Sequence, residues 1–411
     1  MFKIPFLSSK KNPVALRCAE DISTRLRLKY DPYYHAVERA EEATVWVDGR
    51  RMVMMSSNEY LGLSSHPKVR KAAKAAVDQW GTSPCGSRLA NGSRAYHEEL
   101  EERLAAFLGK EACHVLVAGY MACVASLSAL ATRQDALIVD KSIHSSLWDG
   151  ARLSTATVER FNHEDMPSLR SVLEQLDPKQ PKVMAIDGVY SMEGHIASLP
   201  QIIELCQEFG CFLVIDDAHG LGVIGREGRG VADHFGITDK VDLIVGTFSK
   251  SLASTGGFIA GDRSVIEYLR SNSKQIIFSA AIVPSAAAAA LAALEVMQEE
   301  PEHQQKLWEN IAYYRKILTE LGVDFWNSPT AAIPIVIGSK EACYSVWKYL
   351  WDKGFFTVMS ISPGVPAGKD LIRTAISSMH THEQLDQFGE TLAAGLKRAG
   401  IKLKVMTSAS A

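Results

Sequence analysis

The chain has 411 residues, a net charge of -3, and ordinary globular proportions of 47% hydrophobic and 22% charged residues. That length exceeds one typical domain and allows a sizeable core in two unequal lobes. The near-neutral charge gives no electrostatic reason to expect nucleic acid or an anionic membrane as partner, and no apolar run reaches the roughly 18 residues of a membrane span. Seven cysteines, an odd number with no C-x-x-C pair, fall largely inside apolar runs, as free thiols in a reducing cytoplasm do.

Residues 1–55 are charged and mixed, and read as an N-terminal arm or a leading helix; Met1–Ala19 has no signal-peptide pattern. Residues 56–300 read as a large domain without internal repeats. Its apolar runs Cys113–Val117, Ala136–Val139, Lys182–Ile186, Cys211–Ile215 and Leu243–Val245 alternate with amphipathic stretches at Tyr96–Leu108, Met121–Thr132, Leu169–Leu176 and Leu199–Phe209. Strand-length runs separated by helices predict βαβ units, an α/β fold with a mostly parallel sheet. An Ala-rich helix, about Pro284 to Gln298, leads to Pro301, and residues 301–403 read as a smaller C-terminal α/β domain. The tail, 404–411, is small and polar and reads as disordered.

Four apolar runs end in polar clusters: Asp140 then His144, Asp187 then Ser191, Asp216-Asp217-Ala218-His219, and Thr247-Phe248-Ser249-Lys250. Ligands of an open parallel sheet bind beyond the carboxyl ends of its strands, so these clusters are expected to converge. A lysine there is desolvated, its pKa falls, and its neutral amine can attack a carbonyl. The Thr247 and Ser249 hydroxyls beside it suit a phosphate. Gly119-Tyr120-Met121 follows a strand run and opens an apolar helix, which sets backbone N–H groups where an anion would sit. Asp216 facing a ring nitrogen is worth about 4 kcal/mol at 4 Å and an effective dielectric of 20. That equals roughly three pKa units, enough to keep a weakly basic ring protonated and electron-withdrawing. Together these features point to pyridoxal 5'-phosphate (PLP) held on Lys250.

The rivals fare worse. An acidic strand end like Asp216 also occurs in nucleotide hydrolases, but these need a G-x-x-x-x-G-K-[ST] loop, and Gly364–Asp370 has the wrong spacing. Gly220-Leu-Gly222-Val-Ile-Gly225 spells a dinucleotide fingerprint, yet the glycine-rich residues after it cannot continue the required helix. Neither a G-x-S-x-G elbow nor an H-E-x-x-H pair is present. His380 and His382, two apart in a polar stretch, read as solvated, and no metal site is expected. Plain capping, core or turn roles stand as alternatives for His144, Ser191 and His219.

Motifs then occur in a fixed order: Ser57-Asn58-Glu-Tyr60-Leu-Gly-Leu63, Gly86-Ser87-Arg88, Asn91-Gly92-Ser93, Gly119-Tyr120-Met121, Asp140 with His144, Tyr190-Ser191-Met-Glu-Gly194, Asp216-Asp-Ala-His219 and Thr247-Phe-Ser-Lys250. This set resembles the α-oxoamine synthases, PLP enzymes of fold type I (aspartate aminotransferase-like) that condense an amino acid with an acyl thioester. The stretches around Lys250 and Pro366–Arg373 look most like serine palmitoyltransferases; the Asp216 stretch looks equally like 8-amino-7-oxononanoate synthases.

The resemblance implies an acyltransferase acting on serine, alanine or glycine and an acyl-CoA or acyl-carrier-protein thioester, with decarboxylation. Lys250 would form the Schiff base and move the α-proton, Asp216 would pair with the pyridinium, and His144 would stack on the ring. His219 and Ser191 would lie near the ring hydroxyl, and Gly119, Tyr120, Met121 and Thr247 would hold the phosphate. Ser279 would reach that phosphate from a partner subunit, implying a homodimer with a shared active site. Arg373 would bind the substrate carboxylate, with Asn58 nearby. Two departures concern specificity: Ile361-Ser362-Pro363 replaces an Arg-Pro-Pro, and His195 replaces a common acidic residue. A PLP aminotransferase, a secondary-metabolite synthase or a non-catalytic synthase subunit are the alternatives.

Overall fold

In the computed structural model, residues 12–18, 31–362 and 364–401 are described; the tail at 404–411, most of Met1–Ala19 and Pro363 lie outside them. Residues 13–18 are helical, and three strands follow among the described residues: β1 (Arg39–Glu41), β2 (Thr44–Val47) and β3 (Arg50–Met54). The leading helix expected before residue 55 is therefore corrected over 39–54. The alternation Thr44-Val-Trp-Val47 and the left-handed Asp48-Gly49 turn make a hairpin, the period-2 pattern prevailing over the charged composition. β3 then pairs in parallel with the later β12 (Phe355–Phe356), so segments about 300 residues apart share a sheet.

The central sheet is built from β4 (Ala112–Leu116), β5 (Ala136–Asp140), β6 (Thr157–Phe161), β7 (Lys182–Asp187), β8 (Cys211–Asp216), β9 (Leu243–Thr247) and β10 (Gly257–Gly261). Its order is β4-β10-β9-β8-β7-β5-β6, with β10 antiparallel to both neighbours. The sheet is mostly parallel, as the βαβ pattern requires; β6 and β10 add two strands that the apolar runs do not mark. β6 reads Thr-Val-Glu-Arg-Phe at the sheet edge, and β10 is a short Gly-Phe-Ile-Ala-Gly run.

Side-chain alternation divides the core between the two faces of this sheet. Ala136, Ile138, Met184, Ile186, Leu213 and Ile215 enter one apolar cluster, while Leu137, Val139, Val183, Ala185 and Val214 enter the other. Helices cover both faces, which is why the strands read as continuous hydrophobic runs. The helices Ala95–Leu108, Gly119–Leu130, Met166–Glu174, Leu199–Phe209 and Pro284–Glu299 fall within a few residues of the stretches expected from periodicity. After helix Glu302–Glu320, β11 (Ala332–Val336), β13 (Val358–Ser360) and β14 (Leu371–Ala375) form a small antiparallel sheet in the order β11-β14-β13.

Of the two histidines expected to be solvated, His380 differs and His382 does not. His380 is buried: its Nε2 bonds to the Met54 carbonyl at 3.0 Å, and its Nδ1 accepts from Ser377 N at 3.0 Å. The turn Ser377–Met379, not polarity, decides this, because it folds the imidazole back beneath β3. His382 is exposed and stacks on Tyr313 at 3.9 Å.

The start of β10 abuts the start of helix Gly119–Leu130. A Cβ on Gly257 would lie 2.5 Å from Gly119 Cα and 2.6 Å from its nitrogen, both backbone atoms with nowhere to go. Gly257→Ala is therefore expected to destabilise the protein by about 1–3 kcal/mol through overpacking, read as a lower urea midpoint at unchanged m-value.

Candidate active site

The carboxyl ends of β5, β7, β8 and β9 open onto one cavity of about 410 Å³, lined by Gly119, Tyr120, His144, Ser191, Asp216, His219, Thr247 and Lys250 among others. Eight predicted residues thus meet where strand-end geometry placed them. Met121 and Ser279 do not line it: both face a separate small cleft with Arg88 and His114. Asn58 and Arg373 reach the same region from the other side. Arg373 Nε donates to the Ser191 carbonyl at 2.8 Å, and both terminal nitrogens donate to Asn58 Oδ1 at 3.1 Å.

Lys250 follows the short Phe248-Ser249 extension of β9 and is half-buried. Loss of water around its ammonium lowers the amine pKa to about 8, the nearby Arg373 charge adding to this and the Asp216 charge opposing it. Asp216 closes β8, 7% exposed; its Oδ1 accepts from Ala218 N at 3.0 Å and its Oδ2 from the Cys123 thiol at 3.1 Å. A thiol is a weak donor, so Oδ2 retains capacity for a stronger, charged one.

Register sets Asp187 of β7 directly beside Asp216. Burial, and then the like charge of Asp216, push the Asp187 carboxyl well above the ordinary range. Its Oδ2 accepts the His144 backbone N–H at 2.9 Å, fixing the start of helix Ser145–Leu153. His144 caps that helix: its Nδ1 accepts from Ser146 N at 3.3 Å and bonds the Ser146 hydroxyl at 2.7 Å, leaving the neutral ring's proton on Nε2. Burial foremost, with Lys250 adding to it, holds the His144 imidazole below its usual pKa. His219 is buried and hydrogen-bonded through Nδ1 to the Tyr60 hydroxyl at 2.7 Å; burial, then Lys250, depress it far enough to keep it neutral.

The anion cradle is made by close packing. A Cβ on Gly119 would lie 2.6 Å from Thr247 Cβ, so only glycine lets the helix start against Thr247. Thr247 Oγ1 meets the Ser249 hydroxyl at 2.8 Å and donates to the Gly256 carbonyl at 3.1 Å. Tyr120 is largely exposed, and its hydroxyl donates to Asp149.

The donor set fits a flat, phosphorylated heteroaromatic aldehyde: a half-buried amine of lowered pKa, a carboxylate with free capacity for a ring N–H, a neutral imidazole, and a helix N-terminus with two hydroxyls. The glycine-rich segment after His219 has a different task. Cβ atoms on Gly220 and Gly230 would lie 2.0 and 1.9 Å from the Asp217 carboxylate, which accepts Val231 N at 2.7 Å. These glycines make room for Asp217, not for a dinucleotide.

Sequence reasoning gave no role to Asp187, Cys123 or Tyr60. The first ends an apolar run just as Asp216 does; the other two carry no signal outside the fold. Of the departures, Ile361 packs against the core, and His195 Nε2 bonds the Trp326 carbonyl at 3.0 Å while its ring stacks on His163 at 5.9 Å.

Known proteins agree with this geometry. The family model for aminotransferase class I and II matches residues 50–392. A serine palmitoyltransferase of Sphingobacterium spiritivorum is 42% identical over 370 residues, 90% of this chain and 93% of that one. An 8-amino-7-oxononanoate synthase of Bacillus velezensis is 38% identical over 88% of this chain and 92% of its own length. A solved serine palmitoyltransferase with PLP as internal aldimine superposes with a TM-score of 0.92 at 28% identity, covering 95% of this chain and 100% of that one.

A lysine pKa of about 8 has a direct consequence. At pH 7 about a tenth of Lys250 is neutral, roughly 300-fold more than for an ordinary lysine. In cofactor-free protein, an amine-selective reagent followed by peptide mapping is expected to label Lys250 first, with labelling that rises tenfold per pH unit and levels off above about pH 8.

Proposed function

The chain belongs to the aminotransferase class I and II family and, within it, to the α-oxoamine synthases, and we propose that it joins an amino acid to a long or medium acyl thioester at the Lys250 cavity. It is a PLP-dependent acyltransferase similar to serine palmitoyltransferases. One observation carries the reading of the site: a low-pKa lysine and a carboxylate line one cavity, and an arginine from a third part of the chain is tied to the cavity-lining Ser191.

When bound, PLP supplies the electron sink that stabilises negative charge at the Cα of the amino acid. The protein's part is positioning and proton transfer. Lys250 would hold the cofactor by its ε-amine and, when free, would take the α-proton; an amine pKa of about 8 suits that task. Asp216 would hold the pyridine N–H of the cofactor. His144, neutral and held by Ser146, would stack on the ring, and His219, held by Tyr60, would serve the ring hydroxyl with Ser191. Gly119, Tyr120 and Thr247 would hold the phosphate, with Met121 facing the cleft behind.

Arg373 receives the substrate carboxylate through a charge-assisted hydrogen bond from the terminal N–H groups that its present partners leave free. Asn58 and the Ser191 carbonyl hold the guanidinium in place. Because Ile361 stands where a second arginine was expected, Arg373 is the one guanidinium we assign to this task. A second cavity, of about 720 Å³, shares His144 and Ser191 with the first and is lined by Ile143, Trp148, Trp326 and Val365 with Arg160 at hand. We assign it to the acyl thioester, apolar surface for the chain and a cation for an anionic carrier. The thiol leaves, the carboxylate leaves as CO₂, and an α-oxoamine remains.

The dimer is part of this proposal. Ser279 faces away from its own chain's cavity beside Phe278, which is 81% exposed, so it is available to a second copy. Among the described residues no helix is long and apolar enough to cross a membrane. Free cysteines favour a reducing, cytoplasmic setting. An 8-amino-7-oxononanoate synthase type of reaction is the second reading, favoured by the 38% identical relative.

A matrix of serine, alanine and glycine against acetyl-, succinyl- and palmitoyl-CoA and an acyl-carrier donor tests the function. Thiol release is expected only with amino acid and acyl donor together, and fastest with a long or medium chain. Lys250→Ala should lower it by about 10³-fold or more. Release with acetyl or succinyl donors alone would refute the chain-length reading. Amino-group transfer without thiol release would refute the synthase itself.

A further inference from the structure

Away from the active site, His66, Glu300 and His303 present three ligand atoms within 4.8 Å of one another. His66 Nε2 and His303 Nε2 each lie 3.3 Å from the same oxygen, Glu300 Oε2. That separation is long for a hydrogen bond to a carboxylate, whose charge-assisted distance is about 2.7–2.9 Å. It matches the edge of a tetrahedron around an ion with metal–ligand bonds of about 2.0–2.1 Å, an edge of roughly 3.3 Å.

Backbone structure holds all three ligands. His66 caps helix Pro67–Trp80, its N–H bonded to the Leu63 carbonyl at 3.1 Å. Glu300 ends helix Pro284–Glu299, its N–H bonded to Val296 O at 2.8 Å, and His303 lies in the first turn of helix Glu302–Glu320. A proline follows two of the ligands, Pro67 after His66 and Pro301 after Glu300, fixing the chain where each side chain departs. All three are partly exposed, and His66 and His303 border an open cavity together with Leu61, Gly62 and Ser378, so ions can reach them.

We propose that His66, Glu300 and His303 form a binding site for a zinc-type divalent ion, a His₂Glu set completed by water. Two imidazoles and one carboxylate select borderline transition ions over calcium or magnesium, which prefer oxygen. The ion joins the segment preceding His66 to the junction of two long helices. That segment carries Asn58 and Tyr60, which hold Arg373 and His219, and Ser378 N bonds the Tyr60 carbonyl at 2.8 Å. The ion is therefore a staple on the segment that carries the substrate-side residues, and its ligands do not line the Lys250 cavity.

Titration of the holoenzyme with Co²⁺ alone, as a visible probe, and with Zn²⁺ in competition tests this. One equivalent of Co²⁺ is expected to give d–d bands of low-symmetry N/O ligation without a thiolate charge-transfer band, displaced by Zn²⁺. His66→Ala and His303→Gln should each weaken binding at least tenfold. Zn²⁺ at a hundredfold excess over Kd should raise Tm by about 3 °C in the parent and not in the variants. If a variant is poorly folded by circular dichroism, the other decides. No binding by the parent, equal binding by both variants, or a thiolate band from Cys18 or Cys85 would overturn the proposal.

Discussion

The structure turns on the burial of one amine beside two adjacent carboxylates at the carboxyl edge of a parallel sheet. Low polarity lowers the Lys250 amine and raises the Asp187 carboxyl, because each disfavours its charged form away from water. With Asp216 paired beside it in register, Asp187 serves as an anchor for the His144 backbone, while Asp216 is left to face the cavity. One sheet register thus separates two chemically identical side chains into different roles.

Around this core, backbone closeness does what side chains cannot. Gly119 and Gly257 let a helix N-terminus, a strand and Thr247 meet within contact distance, and Gly220 and Gly230 let the Asp217 carboxylate enter the loop behind His219. The C-terminal segment closes the site through Arg373 on β14, tied to Ser191 and to Asn58. Residues distant in sequence are thereby held in one hydrogen-bonded belt that runs from Tyr60 through His219 to the cavity.

Much of this was legible beforehand because buried parallel strands leave an unambiguous record. Runs such as Leu213-Val-Ile-Asp216 are apolar on both faces and stop at a polar residue, so they mark both the strand and its functional end. The edge strand β6 and the antiparallel β10 left no such record, one being half polar and the other bounded by glycines. The hairpin at 39–54 was masked by charged residues on its exposed face. His380 read as polar surface because no local pattern reveals that a turn folds its ring beneath β3. The three-residue cluster at His66 was invisible for a related reason: Glu300 and His303 are neighbours in sequence, but their partner comes from a different helix cap. Arg373 and Asn58 were reachable only through resemblance, since one lies mid-strand and the other in a loop.

The central claim is that Lys250, alone among the lysines, carries the cofactor at this sheet edge. Borohydride reduction of the cofactor-loaded enzyme, followed by proteolysis and mass spectrometry, addresses it most directly. One pyridoxyl-modified peptide per chain is expected, with the modification on Lys250. Modification at any other lysine, or none at all, would contradict it.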